Sequence, residues 1–328
     1  MMIRILSETE IKQLAKLDLD VIAAIESGFS KLAEGNATVP PIMMIPVPEK
    51  DGEVDIKSAF IKGIPNLAVK VASGFFENPK IGLPSQSGQM LVISAETGFL
   101  QAVLLDNGYL TQIRTGAAGA VAAKYLAPEV VENVGVIGTG VQARFQMEAL
   151  FLVRPFKTIR IFSRYSEEAK DAYAEEMSAK LGVNVIKCDS VAEVVKESSV
   201  VVTTTPSREG FITKEMLHPG LHITAMGSDT EEKQELHPEI LGMADGLFCD
   251  LHSQSERLGE LRSGYESGSI STATTVTELG EIINKVKPGR TDKDQITICD
   301  LTGVGVQDTM IAVKLYDTAE EKDLGIKI

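Results

Sequence analysis

The sequence predicts an α/β protein in two parts, a doubly wound parallel sheet and an α+β domain built on an antiparallel sheet. Three observations carry this. The chain has 328 residues, the length of about two domains. After residue 116, short apolar runs alternate with segments of helical period, the rhythm of repeated β-α units and so of a parallel sheet. Before residue 116, strand-like runs follow one another with turn residues between them, which favours antiparallel pairing.

Taken in order, Ser7-x-x-Glu10 is a capping box, and Ile11, Leu14, Leu17, Val21, Ile22 and Ile25 continue at helical spacing until the pattern ends at Gly35. Strands are expected at 42–47, 54–61 and 67–74. Residues 90–94 and 100–105 flank Ala95-Glu-Thr-Gly98, a turn sequence that makes them a hairpin. Beyond 116, strands at 134–137, 158–162, 183–186 and 199–204 alternate with helices at 141–152, 167–181 and 191–196. Runs at 221–226, 246–249 and 295–299 extend the sheet. The sequence shows no internal repeat and no low-complexity segment.

Composition narrows the function. With 46 acidic against 32 basic residues the net charge is −14, which argues against nucleic acid or an anionic membrane as the main partner, because both attract basic surfaces. Any phosphate must be held locally. Cys188, Cys249 and Cys299 are odd in number and widely spaced, so neither a disulfide framework nor a zinc site is expected. The first residues lack a signal peptide, and no apolar run reaches the roughly 18 residues of a membrane span. A soluble cytoplasmic protein is the expectation. No metal is expected either: Pro219-Gly220 breaks the helix that His218 and His222 would need, and His237 and His252 have no obvious partner.

The strongest motif is Val134-Gly-Val-Ile-Gly138-Thr139-Gly140-Val141-Gln142-Ala143, a strand running through G-x-G-x-x-A into a helix. The glycines allow a tight turn and close backbone approach, Ala143 lets helix pack on strand, and the helix N-terminus offers N–H groups to a pyrophosphate. In this context the motif predicts a Rossmann domain binding a dinucleotide. The second strand ends at Ser163-Arg164 with no acid between Glu148 and Glu167. Arg164 can meet a 2′-phosphate, which favours NADP over NAD, or it stacks on adenine or is solvated. Thr204 and Thr205 close another strand at its carboxyl end, either against the nicotinamide ribose or as a plain strand terminus.

Across the whole chain the sequence resembles the ornithine cyclodeaminase/μ-crystallin family. The matching segments are Ala68-Val-Lys70, residues 82–98, Leu105-Asp-Asn-Gly108 through Thr111-x-x-Arg114-Thr115-x-Ala117-x-Gly119, Gly138-Thr-Gly140, Ala225-Met-Gly227-Ser228-Asp229 with Lys233-x-Glu235-Leu236, and Asp300-Leu-Thr-Gly303-Val304-Gly305-Val-Gln307-Asp308. Within the family, Val54-Asp-Ile-Lys57-Ser and residues 300–308 look most like the branch of ectoine-utilisation and imino-acid-reductase members. The resemblance implies a dimerisation and substrate domain at 1–116, a dinucleotide-binding domain at 117–304 and a C-terminal helix at 305–328 returning to the first domain. It implies a homodimer joined through the antiparallel domain, an active site between the two domains, and hydride chemistry at Cα of an amino or imino acid. It adds Thr115, Ser228, Val304 and Gly305 to the cofactor-binding residues.

Alternation in 67–72 puts Ala68, Lys70 and Ala72 on one strand face, so Lys70 has room beside it for a ligand. By resemblance Lys70 is the catalytic acid/base or carboxylate partner, with burial lowering its pKa. Asp229, after a small-residue strand end, is by resemblance the group that handles a proton on the substrate nitrogen; capping the next helix is a compatible role. Arg114 is the single arginine between Arg4 and Arg144, and its planar fork suits a substrate carboxylate, with a structural ion pair as the alternative. The family's other carboxylate-binding arginine is missing from residues 39–45. Lys57 either replaces it, receiving with Arg114 the carboxylates of a dicarboxylic imine, or is one more charge on a solvated face. Ser87 contacts substrate or belongs to a polar loop. Three functions follow: an NAD(P)H-dependent reductase of an α-imino acid or cyclic imine, an ammonia-eliminating cyclodeaminase, and a non-enzymatic ligand-binding protein.

Overall fold

A computed structural model of the protein describes residues 2–164 and 166–328. The chain begins with β1 (Arg4–Ser7), α1 (Glu8–Leu14), α2 (Leu19–Ala33), β2 (Ala37–Thr38), β3 (Met43–Val47), β4 (Gly52–Ile61), β5 (Asn66–Phe75), β6 (Gln86–Ser94), β7 (Leu100–Leu105) and α3 (Tyr109–Leu126). It continues with β8 (Asn133–Ile137), α4 (Val141–Val153), β9 (Thr158–Phe162), α5 (Glu167–Leu181), β10 (Asn184–Lys187), α6 (Val191–Lys196), β11 (Val200–Thr203) and β12 (His222–Ala225). The last elements are β13 (Gly246–Cys249), α7 (His252–Leu258), α8 (Glu260–Ser267), β14 (Val276–Glu278), α9 (Leu279–Ile283), β15 (Thr297–Asp300), α10 (Gly305–Glu321) and β16 (Ile326–Lys327). Contacts divide the chain into two compact units, one formed by the residues up to Arg114 together with Val304–Ile328, the other by Thr115–Gly303.

The first unit is built on a sheet of order β16-β1-β7-β6-β5-β4-β2, with β3 also paired to β4. All these pairings are antiparallel except β1 with β7. Helix α10 packs on α2 and across β4 and β5. Its first residue explains itself: a Cβ on Gly305 would lie 2.1 Å from the Ser58 carbonyl oxygen, so only glycine lets the helix start this close to β4. Thr309, one turn on, donates to the Ala59 carbonyl at 2.8 Å and accepts from the Ala68 amide at 3.2 Å, pinning the helix across both strands.

Two expectations change here. The helical pattern before Gly35 is two helices, because Asp18 accepts from the Val21 amide at 2.8 Å and starts α2 afresh, with Leu17 in the break. Ser87 lies in a strand rather than a loop, since β6 begins at Gln86 and Ser87 pairs with Ser73 of β5. Long-range backbone pairing decided that, and the polar sequence around Ser87 carries no local sign of it.

The second unit holds an eight-stranded sheet of order β10-β9-β8-β11-β12-β15-β13-β14, parallel throughout. Period-two alternation sorts its apolar residues to two faces. Val134, Val136, Val200 and Val202 join Met147 of α4 and Met177 of α5 in one core, while Ile137 and Val201 join Val194 and Val195 of α6 in the other. Each fully buried side chain of this size contributes about 1.5–3 kcal/mol. The chain runs outward from β8 to β10 and then returns to β11 on the other side of β8, so strand order reverses between β8 and β11, where such sheets bind ligands. The three cysteines are buried free thiols. Among the described residues no helix is long and apolar enough to cross a membrane, and none of the acid, histidine and cysteine groupings has metal-site form.

Candidate functional site

In the first unit the sheet, α3 and α10 bring charged side chains into the interior. Lys70 of β5 is 2% exposed and stands opposite Lys57 of β4 in register, itself 7% exposed. Lys57 is therefore not a residue of a solvated face. Asp308, in the first turn of α10 and fully buried, takes Lys70 Nζ at 3.1 Å on Oδ1 and 3.0 Å on Oδ2. Arg114 of α3 brings Nε to 3.0 Å from Asp308 Oδ1 and donates from Nη1 to Gln307 Oε1 at 2.6 Å. The contact of α10 with β4 and β5 sets this geometry, because it holds the helix turn carrying Gln307 and Asp308 beside Lys70.

The electrostatics follow from burial. Desolvation, then repulsion from Arg114, brings Lys70 down to about 7 against the pull of Asp308. Burial alone would raise Asp308, but Lys70 and Arg114 outweigh it and hold the carboxyl below its ordinary value. Asp106, just before α3, is pushed up to about 6 by burial, opposed by the Leu110 amide that it accepts at 2.8 Å. A lysine that exchanges its proton near neutrality, beside an arginine and a buried carboxylate, can move protons and hold an anion. Ser87 is exposed and donates to Asn107 Oδ1 at 2.8 Å.

In the second unit the glycine turn follows β8. Gly138 has φ +105°, and a Cβ there would lie 2.7 Å from Thr204 Oγ1; Gly140 faces open space, with nothing within 4 Å of a Cβ position. Thr139 is buried, and its hydroxyl has no hydrogen-bond partner. Gly140 caps the 13-residue α4 without a side-chain bond, so the first amides of the helix, from Val141 and Gln142 on, are left for a ligand. A cavity of about 280 Å³ adjoins this turn, lined by Gly138, Gly140, Ser163, Arg164, Thr204 and Thr205 among others. An open glycine cradle, a helix N-terminus and an orphaned hydroxyl fit a dinucleotide. Arg164 is exposed and Ser163 buried.

The remaining predicted residues are placed less simply. Asp229 lies beyond β12, partly exposed, and is paired with Lys233 Nζ at 2.7 Å; the next helical segment begins only at Pro238, with His237 at its N-cap, so Asp229 is not a helix cap. Ser228 donates to the Lys233 carbonyl at 2.8 Å, closing the same loop. Both lie in the second unit, whereas Lys57, Lys70, Ser87 and Arg114 lie in the first. The Thr205 hydroxyl is turned inward to Glu235 Oε1 at 2.7 Å. The Thr115 carbonyl accepts from Gln146 Nε2 at 2.9 Å. Val304 is fully buried at the start of α10, and Gly305 is explained by its packing on β4. His252 lies 2.9 Å from Tyr265 Oη through Nε2, and His237 Nδ1 lies 3.4 Å from Glu239.

Sequence reasoning gave no role to Asp308, Gln307, Asp106 or Glu235. For Asp106, Gln307 and Asp308 a signal was present, polar residues in the otherwise apolar or glycine-rich segments 105–108 and 300–308, whereas Glu235 stands in a charged run, Glu231-Glu-Lys-Gln-Glu235, that gives no such sign.

A parallel doubly wound sheet with an open glycine turn at its switch point, joined in one chain to an antiparallel unit with a buried lysine centre, defines a two-domain protein of the Rossmann type. The chain belongs to the ornithine cyclodeaminase/mu-crystallin family, whose model matches residues 2–323. It is 46% identical over 323 residues to an uncharacterized cyclodeaminase of Sinorhizobium fredii, covering 98% of this chain and 97% of that one. Its fold matches the Delta(1)-pyrroline-2-carboxylate reductase of Thermococcus litoralis, solved with NADH and L-proline, at TM-score 0.94 and 30% identity over 99% of this chain and 100% of that one. It also matches the iminosuccinate reductase of Paracoccus denitrificans, solved with NAD+, at TM-score 0.91 and 30% identity over 100% and 99% of the two chains.

Proposed function

We propose that the protein is an NAD(P)H-dependent reductase of an α-imino acid or cyclic imine, reversible as an amino-acid dehydrogenase. The observation that carries this is the buried Lys70–Asp308–Arg114 centre, in a chain that also holds an open dinucleotide cradle. The nicotinamide, when bound, exchanges a hydride with the substrate carbon. Lys70 holds or supplies a proton near neutral pH, and Asp308 keeps it in place. Arg114 and Lys57 receive carboxylate, the pair of cations suiting a substrate with two. Asp229 handles the proton on the substrate nitrogen, and Ser87 contributes a polar contact. Gly138, Thr139, Gly140, Val141, Gln142, Ser163, Arg164, Thr204 and Thr205 hold the dinucleotide, Arg164 offering its charge to a 2′-phosphate. Support for the reading comes from two relatives of the same fold, the Thermococcus litoralis pyrroline-2-carboxylate reductase and the Paracoccus denitrificans iminosuccinate reductase.

The relative named as a cyclodeaminase favours a second reading, in which an amine is oxidised, ammonia leaves on ring closure and the cofactor is restored. One experiment separates the two. The protein is incubated with NADH or NADPH and a panel of cyclic and dicarboxylic imino acids, then with NAD+ and ornithine, and absorbance at the nicotinamide band and free ammonia are followed. Net cofactor oxidation with imines, without ammonia release, is expected; ammonia release from ornithine without net cofactor change would sink the reductase reading. Comparison of NADH with NADPH settles the part played by Arg164.

A further inference from the structure

At the carboxyl edge of the parallel sheet, where β11 and β12 end, one side chain reaches both strand ends. Glu235 is fully buried, and each of its oxygens takes one backbone amide and one hydroxyl. Oε1 accepts from the Thr205 amide at 2.6 Å and the Thr205 hydroxyl at 2.7 Å. Oε2 accepts from the Gly227 amide at 2.8 Å and the Thr203 hydroxyl at 2.5 Å. The last ladder pair of the two strands is Thr203 with Ala225, so Thr205 and Gly227 stand where the strands part and their amides lose sheet partners. Four donors on two oxygens suit a carboxylate, which is acceptor-only; a glutamine presents one oxygen and an NH2 that faces donors.

Glu235 is itself held in series. Glu260 accepts from the Glu235 amide at 2.6 Å and the Leu236 amide at 3.1 Å, and Asp300, at the end of β15, accepts from the Leu261 amide at 3.1 Å. Gly259 is required for this approach, since a Cβ there would lie 2.2 Å from Asp300 Oδ2. Asp300 thus grips the backbone next to Glu260, and Glu260 the backbone bearing Glu235, which heads the series at the strand ends. Burying several acids together is costly, and burial drives Asp300 up to about 8. The free end of the series is Thr205, on the wall of the cavity beside the glycine turn. In a doubly wound sheet the end of the second strand, here Ser163 and Arg164, receives the adenosine half of a dinucleotide, which leaves the β11 and β12 ends to the nicotinamide half.

We infer that Glu235 is a positioning residue for the nicotinamide half of the cofactor, fixing the spread between the β11 and β12 ends through Thr205 and Gly227. The inference rests on the dinucleotide reading above. It is tested by calorimetric titration of the full chain with NADH and with ADP-ribose, which carries the adenosine and pyrophosphate but no nicotinamide. Glu235→Gln weakens NADH about tenfold, the loss of one hydrogen bond to a charged group, and leaves ADP-ribose within about twofold. Thr203→Val, which removes a single contact to Glu235, weakens NADH about threefold with the same selectivity and decides the matter should Glu235→Gln not fold. Equal weakening of both ligands, or no weakening of NADH, overturns the inference. Wild-type protein that binds neither ligand brings down the dinucleotide reading and this inference with it; wild-type binding of both, with no split in the variants, overturns this inference alone.

Discussion

Lys70 shows how burial converts an ordinary residue into a reactive one. Free in water its amine titrates near 10.4, but with 2% of its surface exposed, and Arg114 and Lys57 adding repulsion, it comes down to about 7. The protonated form is the one that donates a proton and the one that pairs with a carboxylate. Imine reduction is therefore expected to lose kcat/KM as pH rises through about 7. Lys70→Met should lower kcat by about 10²–10⁴ and abolish that alkaline limb, as the pH profiles of the two proteins would report. A limb unchanged in the variant would remove Lys70 from the role. The alternation of 67–72 already placed Lys70 on a face with small neighbours. Its partner Asp308 was beyond local reasoning, because 238 residues separate the two and only the docking of α10 joins them.

At the scale of elements, α10 is the part whose placement the site depends on. It reaches β4 through Gly305, and Thr309 ties it to both β4 and β5. Gly305→Ala would set a methyl group against backbone that cannot move without disturbing the β4 ladder. A loss of about 1–3 kcal/mol is expected, read as a lower midpoint in chemical denaturation. An unchanged midpoint would show that the helix start yields freely. The spans of the helices Glu167–Leu181 and Val191–Lys196 were legible to the residue, and the structure adds the Ser166 and Ser190 caps that start them. The two-residue strands β2 and β16 were not, since a strand that short has no periodicity and exists only through its neighbour.

For the whole molecule, an exposed apolar edge is the feature a single chain leaves unexplained. Strand β3 carries Met43 at 58%, Met44 at 39% and Ile45 at 47% exposure, and Phe60 of the adjoining β4 stands at 41%. Exposed apolar side chains on an edge strand suit an interaction surface, such as the homodimer contact that the family resemblance implies. Light scattering is expected to give twice the chain mass, and Ile45→Arg to shift the protein toward the monomer; a monomeric wild type would rule the dimer out. By itself, the sequence determined the two-part architecture, the glycine turn and the lysine on its strand face. Each of these is written in periodicities of two or 3.6 residues or in a motif of ten. Tertiary structure alone decided that Asp308 meets both Lys70 and Arg114 and that Glu235 reaches both strand ends. Those contacts join residues far apart in the chain, and what a buried charge does is set by the groups packed around it, which no local pattern records.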